Sequence, residues 1–275
     1  MKPKKLLALY GLKWNPFTPD IPQEALLQTP RIASFCARVQ NLVEDGGFAL
    51  VTGDPGNGKS VVLRVLNERL SALRDVTVGR LTRPQSNITD IYRELGEIFG
   101  VNLRPGNRWG GFKMLRDRWR SHLEASLVRP VLLVDEAQEM NVHTLSELRL
   151  LSSAEFDSVS LLTVVLAGDQ RLVDHLRHPN LIPLGSRIRT RIVLGYASPD
   201  ELTELLKHTI QAAGNPKLMT KDLVNTLVEH SAGNQRALMT MAGEMLMAGA
   251  ENEVAVLDEK LYFDVFHPTG GRNAS

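Results

Sequence analysis

Short apolar runs rich in Val, Ile and Leu recur along this chain with amphipathic stretches between them. That alternation builds a mostly parallel sheet covered by helices. Strands are predicted at Phe48 to Thr52, Val76 to Leu81, Pro130 to Asp135, Leu161 to Ala167 and Arg191 to Leu194. Helices are predicted over 60–73, 87–99, 109–125, 141–153 and 170–177. After about residue 197 the strand signals stop. Ser198-Pro199-Asp200-Glu201 places a capping hydroxyl, a first-turn proline and a glutamate three residues on, so it opens a helix that ends near Gly214-Asn215-Pro216. Further helices are expected over Thr220 to Ser231, Gln235 to Ala250 and Leu257 to Phe266, the Met- and Ala-rich stretch Gln235 to Ala250 as plain helix packing. The expected architecture is an α/β doubly wound parallel sheet followed by a small α-helical domain. Its boundaries are 1–30 for a lead-in segment, 31–197 for the sheet domain, 198–267 for the helices and 268–275 for a frayed tail.

The strongest chemical signal is Gly53-Asp54-Pro55-Gly56-Asn57-Gly58-Lys59-Ser60, followed by Val61, which fits the phosphate-loop (Walker A) pattern between a strand and a helix. Its glycines let backbone N–H groups and the helix N-terminus face a β-phosphate, while Lys59 reaches the β and γ oxygens and the Ser60 hydroxyl serves Mg²⁺. Val131-Leu132-Leu133-Val134-Asp135-Glu136 is the matching hydrophobic strand ending in acid (Walker B). Asp135 is expected to hold Mg²⁺ through water and Glu136 to polarise the attacking water. The pair predicts an enzyme, a Mg²⁺-dependent ATPase, with ATP and Mg²⁺ as ligands.

These residues resemble the AAA+ ATPases, and within them a group containing the ExeA-type secretion ATPases and the transposition regulators TniB, TnsC, MuB and IstB. Tyr10-Gly11-Leu12 with Asn15-Pro16-Phe17 looks like the ExeA-type lead-in, and Asp135-Glu136-Ala137-Gln138 matches the extended second motif. Val165-Leu166-Ala167-Gly168-Asp169 looks like the strand bearing the first sensor, placed at Asp169. Ser186 to Arg191 occupies the place where such ATPases present an arginine to a neighbouring subunit's nucleotide. Arg187 is the choice, with Arg189 and Arg191 as competitors on an exposed strand edge. Gly233-Asn234-Gln235-Arg236 looks like the second-sensor motif, with Arg236 toward the γ-phosphate and the helical domain as the lid. An arginine supplied in trans implies self-assembly into a ring hexamer or a helical filament.

The charge balance is nearly even, 32 Lys and Arg against 31 Asp and Glu, which argues against a histone-like polycation. The division is uneven, because residues 1–191 carry a net +6 and residues 192–275 a net −5. The segment Arg104 to Arg120 interleaves Arg104, Arg108, Lys113, Arg116, Arg118 and Arg120 with Trp109, Phe112 and Trp119. On a helix, Phe112, Leu115, Trp119 and Leu123 form an apolar stripe beside a basic one of Lys113, Arg116 and Arg120. The basic stripe is one candidate contact for double-stranded DNA, and Arg83 in the loop Thr82 to Asn87 is a second, with the choice between them open. The basic start, Lys2, Lys4, Lys5 and Lys13, is a weaker candidate.

Two functions follow from the resemblance. The first is an ATPase whose ATP-bound oligomer binds duplex DNA and recruits or activates a transposase. The second is a secretion-associated ATPase of the ExeA kind, acting in cell-envelope assembly. The ExeA-type proteins typically carry a membrane span and a peptidoglycan-binding region after the ATPase module, so a length of 275 residues favours the first. The lone Cys36, the absence of a secretory leader and the lack of an apolar run of about 18 to 20 residues predict a cytoplasmic protein without membrane contact. The seven histidines are scattered, and His175 and His178 at helical spacing lack a third ligand for a metal.

Overall fold

The computed structural model describes residues 3–103, 106–126, 128–156 and 158–266. Arg104, the Lys2 and Lys4 side chains and the expected tail at 268–275 lie outside the described residues. The strands are β1 Gly47–Gly53, β2 Val76–Leu81, β3 Arg129–Val134, β4 Ser153–Ala154, β5 Val159–Ser160, β6 Thr163–Gly168 and β7 Ile188–Leu194. The helices are α1 Pro3–Tyr10, α2 Pro30–Asp45, α3 Lys59–Ser71, α4 Ile88–Phe99, α5 Arg108–Ser121, α6 Val142–Ser152, α7 Gln170–Leu176, α8 Ile182–Gly185, α9 Pro199–Ala212, α10 Lys221–His230, α11 Gln235–Glu251 and α12 Glu259–Phe266. Among the described residues no helix is long and apolar enough to cross a membrane.

Contacts divide the chain into two units, one of residues 28–194 and one made of the first 27 residues together with 195 onward. The larger unit is a five-stranded parallel sheet in the order β2-β3-β6-β1-β7. The central strands are apolar along almost their whole length and buried on both faces, as a helix-covered parallel sheet requires. Phe48, Leu50, Leu132, Val134, Val164 and Leu166 join one core with Ile91, Leu95, Leu115, Trp119, Leu145 and Leu172. The alternate positions Ala49, Val51, Val131, Leu133 and Val165 are equally buried and face the opposite side. There α2 and α3 pack on each other and on the sheet.

Most predicted elements lie within a residue or two of their observed ends; three differ instructively. The strand expected at 161–167 begins only at Thr163, because Val159 and Ser160 pair back on Ser153 and Ala154 as a small antiparallel hairpin. The last strand begins at Ile188 rather than Arg191. Ile188, Thr190 and Ile192 are buried while Arg189, Arg191 and Val193 are exposed, the alternation of an edge strand with one solvated face. The helix expected to reach 125 ends at Ser121 and continues as a π-turn over His122–Ser126.

The outer edge of β7 is covered by the chain itself. Arg38 donates to the Thr190 hydroxyl at 3.0 Å and to the Arg191 carbonyl at 3.5 Å, and Arg31 donates to the Val193 carbonyl. Both arginines come from α2, a helix started by the Thr29 cap and Pro30.

On the other side, Glu147 of α6 is buried and accepts from the Tyr92 hydroxyl and from the Arg108 guanidinium, joining α4, α5 and α6. Burial first, then this carboxylate, raises the Tyr92 phenol above its ordinary value. Trp119 is fully buried, edge-on to Phe99 at 5.2 Å. Trp119→Ala leaves a large cavity under the sheet and should cost about 3–5 kcal/mol in urea unfolding.

The smaller unit is helical. Ser198 and Glu201 form the expected capping box at α9, Thr220 caps α10 and Asn234 caps α11. Leu206, Leu223, Leu227, Leu238, Met245 and Leu246 form its core, and the lead-in residues Leu6, Tyr10 and Leu12 are buried in the same cluster. The backbone N–H of Lys13 donates to Ala213 at 2.8 Å, and Asn215 Nδ2 to the Tyr10 carbonyl at 2.9 Å. The lead-in is thus held by the helices that follow the sheet in sequence.

Candidate nucleotide site

Parallel strands bring their carboxyl ends to one side, and ligands of such sheets bind there. Thr52 of β1 pairs with Gly168 of β6, and Val134 of β3 pairs with Leu166. This register sets the phosphate loop, Asp135-Glu136 and Gly168-Asp169 along one rim. In the loop, Gly56 and Gly58 have φ of 90° and 89°, a region that side chains with a Cβ rarely enter. Gly58 ends the turn and α3 starts at Lys59, so the helix N-terminus opens onto the loop. Asn57 is buried, and its Nδ2 donates to the Leu194 carbonyl at 3.4 Å. The Lys59 ammonium donates to the carbonyls of Gly53 at 2.8 Å and Asp54 at 3.2 Å, held across the loop.

The Ser60 hydroxyl donates to Asp135 Oδ2 at 2.9 Å, bridging the two motifs across 75 positions of sequence. A hydroxyl beside a carboxylate is the hard oxygen set that Mg²⁺ takes together with its own waters, so these side chains fit that ion. Glu136 follows in a left-handed conformation with φ 49°, an uncommon backbone for a residue with a side chain and one that clusters at functional sites. The turn carries its carboxylate out of the strand direction, and its Oε2 accepts from Gln138 Nε2.

Asp169 lies at the end of β6 and caps α7 by accepting from the Arg171 N–H at 2.9 Å. Its carboxylate also pairs with the Arg171 guanidinium at 2.8 Å. That side-chain bond holds its carboxyl below the usual carboxylate range, opposed by burial and reinforced by the Arg171 N–H and by the charges of Arg171 and Lys59. The expected sensor therefore feels the phosphate-loop lysine, but through a carboxylate already engaged by arginine.

Other expected residues lie elsewhere. Arg187 stands just before β7, whose Ile188 is level with Phe48, while Leu194 is level with Gly53. Five strand steps, about 17 Å at 3.3 Å each, separate that level from the phosphate loop. Its guanidinium donates to the Pro183 carbonyl. Arg189 pairs with Asp45 at 3.4 Å and Arg191 donates to the Gly185 carbonyl at 3.3 Å; these two are exposed and Arg187 is half-buried. Arg236 is exposed in the first turn of α11, within the helical unit, where Gly233 accepts from the Ala197 N–H at 2.9 Å.

Arg83 is exposed in the turn after β2, which is closed by the Ser86 N–H on the Arg83 carbonyl at 3.1 Å. The basic stripe runs along α5. Lys113 is exposed, Arg116 lies over the Phe112 ring at 4.8 Å, and Arg120 pairs with the exposed Glu155 at 3.6 Å. Leu115 and Trp119 are buried as expected, Phe112 and Leu123 only partly. Since Arg108 shares Glu147 with Tyr92 near the start of α4, and Trp119 touches Phe99 at its end, α5 descends away from the β2 rim. Arg83 and Arg120 therefore sit toward opposite ends of this layer and do not make one patch. Gln138 is the site residue whose role sequence reasoning missed, although it stands in the matched motif.

Comparison with known proteins agrees with this geometry. Residues 42–176 match the family described as AAA domain. General secretion pathway protein A of Aeromonas hydrophila is 32% identical over 244 residues, covering 87% of this chain and 44% of that protein. The chain thus spans less than half the length of that relative. Cdc6p from Pyrobaculum aerophilum superposes with a TM-score of 0.70 at 17% identity, over 88% of this chain and 67% of its own. Drosophila ORC bound to DNA gives 0.70 at 17%, over 95% and 65%, and the Aeropyrum pernix ORC1 protein in complex with DNA gives 0.68 at 16%, over 91% and 67%. The shared architecture is the AAA+ P-loop fold.

Proposed function

We propose, starting from an AAA domain with the AAA+ fold, that this chain is a Mg²⁺-dependent ATPase whose ATP-bound assembly binds duplex DNA and recruits or activates a transposase. The observation that carries the ATPase reading is the Ser60–Asp135 bridge with Glu136 turned out beside it. In the proposed step a water oxygen bonds to the γ-phosphorus as the bond to the bridging oxygen breaks. ADP departs with that electron pair, and the water's proton passes to the Glu136 carboxylate. The loop N–H groups and Lys59 hold the phosphates; Ser60 and Asp135 hold Mg²⁺, which supplies charge neutralisation when bound. Asp169 and Arg236 are the proposed sensors, and Arg187 the arginine given to a neighbouring copy. Its level in the sheet, about 17 Å from its own phosphate loop, supports that assignment.

The DNA part draws on two separate places, the exposed Arg83 after β2 and the α5 face of Lys113, Arg116 and Arg120, and on the net +6 of residues 1–191. Fluorescence anisotropy with duplex DNA and a slowly hydrolysed ATP analogue is expected to show binding that falls steeply with salt. Replacing the four residues by Ala should weaken it and flatten the logarithmic salt slope by about 0.9 for each phosphate left without a cationic partner, with nucleotide affinity unchanged. No binding in either nucleotide state at low salt would sink this reading.

The identity to General secretion pathway protein A favours a second reading, an ATPase acting in cell-envelope assembly. It expects turnover indifferent to DNA and co-sedimentation with inner-membrane vesicles, and the same preparations decide between the two.

A further inference from the structure

Gln138 is 4% exposed, yet both ends of its amide are committed. Its Nε2 donates to Glu136 Oε2, and its Oε1 accepts from the backbone N–H of Asp169 at 3.2 Å. One side chain therefore joins the proposed water-activating carboxylate to the end of β6. The local backbone is shaped for this contact. Glu136 turns left-handed and Ala137–Glu139 forms a single 3₁₀ turn, closed by the Glu139 N–H on the Glu136 carbonyl at 2.9 Å and by the burial of Ala137. On the other side Gly168 leaves the space, since a Cβ there would lie 2.6 Å from Gln138 Oε1. A second tie runs in parallel, with Arg171 bonding both Asp169 at 2.8 Å and Glu139 at 2.9 Å.

We infer that Gln138 is a positioning residue for Glu136, fixing the direction of its carboxylate and tying it to the β6–α7 corner. The inference rests on the proposed hydrolysis and deepens it. A glutamate at a strand end has several rotamers of similar energy, and only one aims the carboxylate at a water in line with the γ-phosphate. A buried amide with both ends bonded selects that rotamer in advance. Through the Asp169 N–H, any shift of the β6 end is passed to Glu136 as a shift of its hydrogen-bond donor.

The test is steady-state turnover by phosphate release, with nucleotide affinity from a fluorescent ATP analogue and folding from the thermal midpoint. Gln138→Leu should lower kcat by about 10- to 100-fold, with KM and nucleotide affinity within about twofold of the parent. Gln138→Glu keeps the shape and the acceptor for the Asp169 N–H but removes the donor to Glu136. It should show at least the same loss in kcat, with a lowered thermal midpoint because the new buried carboxylate faces that of Glu136. Gly168→Ala, which pushes on the amide from the far side, should act in the same direction. In the Glu136→Gln background, Gln138→Leu should cost nothing further, because residues acting as one unit are not additive. A merely structural role predicts losses that multiply. Parent-like kcat in both Gln138 variants, or multiplying losses, overturns the inference while slow turnover of Glu136→Gln leaves the hydrolysis reading standing. Fast turnover of Glu136→Gln overturns that reading and this one with it.

Discussion

Glu136→Gln is expected to bind ATP as the parent does and to turn it over about 10²- to 10⁴-fold more slowly, the range that a positioned general base contributes. The substitution is close to a pure change of chemistry. A glutamine at 136 has the same volume, meets the same left-handed backbone requirement and still offers an oxygen to the Gln138 amide. What it lacks is the ability to take the proton of the attacking water. Phosphate release measured beside nucleotide binding separates the two effects, and near-parent turnover would reject the role given to Glu136.

Arg187→Ala is expected to lower turnover by about 10³- to 10⁵-fold, the range seen where a trans arginine stabilises phosphoryl transfer. Its own phosphate loop is too far away for a side chain standing at the level of Phe48. The sharper form of the test mixes two inactive proteins. An interface that joins an intact Glu136 from the Arg187→Ala protein to an intact Arg187 from the Glu136→Gln protein is a complete site. Mixing should therefore restore a measurable part of the parent rate. If Arg187→Ala is active, the same mixing with Arg189→Ala and Arg191→Ala identifies which neighbour on β7 has the role.

The central strands and the phosphate loop were readable from the sequence because both are local signals. Leu132-Leu133-Val134 and Val164-Val165-Leu166 are buried on both faces and so carry no polar interruption. The loop glycines answer to backbone angles that few other residues adopt. What escaped was mostly set by pairing at a distance. Val159 and Ser160 turn back on Ser153 and Ala154 rather than extending β6, a choice made by the partner strand. Glu147 reads as one more acidic residue on a helix until Tyr92 and Arg108 close on it. Gln138 has no periodicity that marks it, because its partners lie two residues before it and 31 after it. Two element starts had signals available. Thr29-Pro30 is a ready start for α2, and the alternation of Ile188, Thr190 and Ile192 with charged neighbours already described β7 from its first residue.

The guanidinium groups of Arg31 and Arg38 have a consequence for the proposed assembly. They occupy carbonyls of β7 that another strand would otherwise seek. Neighbouring copies are thereby denied the route that leads to fibrils, in which sheets fuse through their backbones. In the proposed assembly this edge would therefore meet a neighbour through its side chains rather than by extending the sheet.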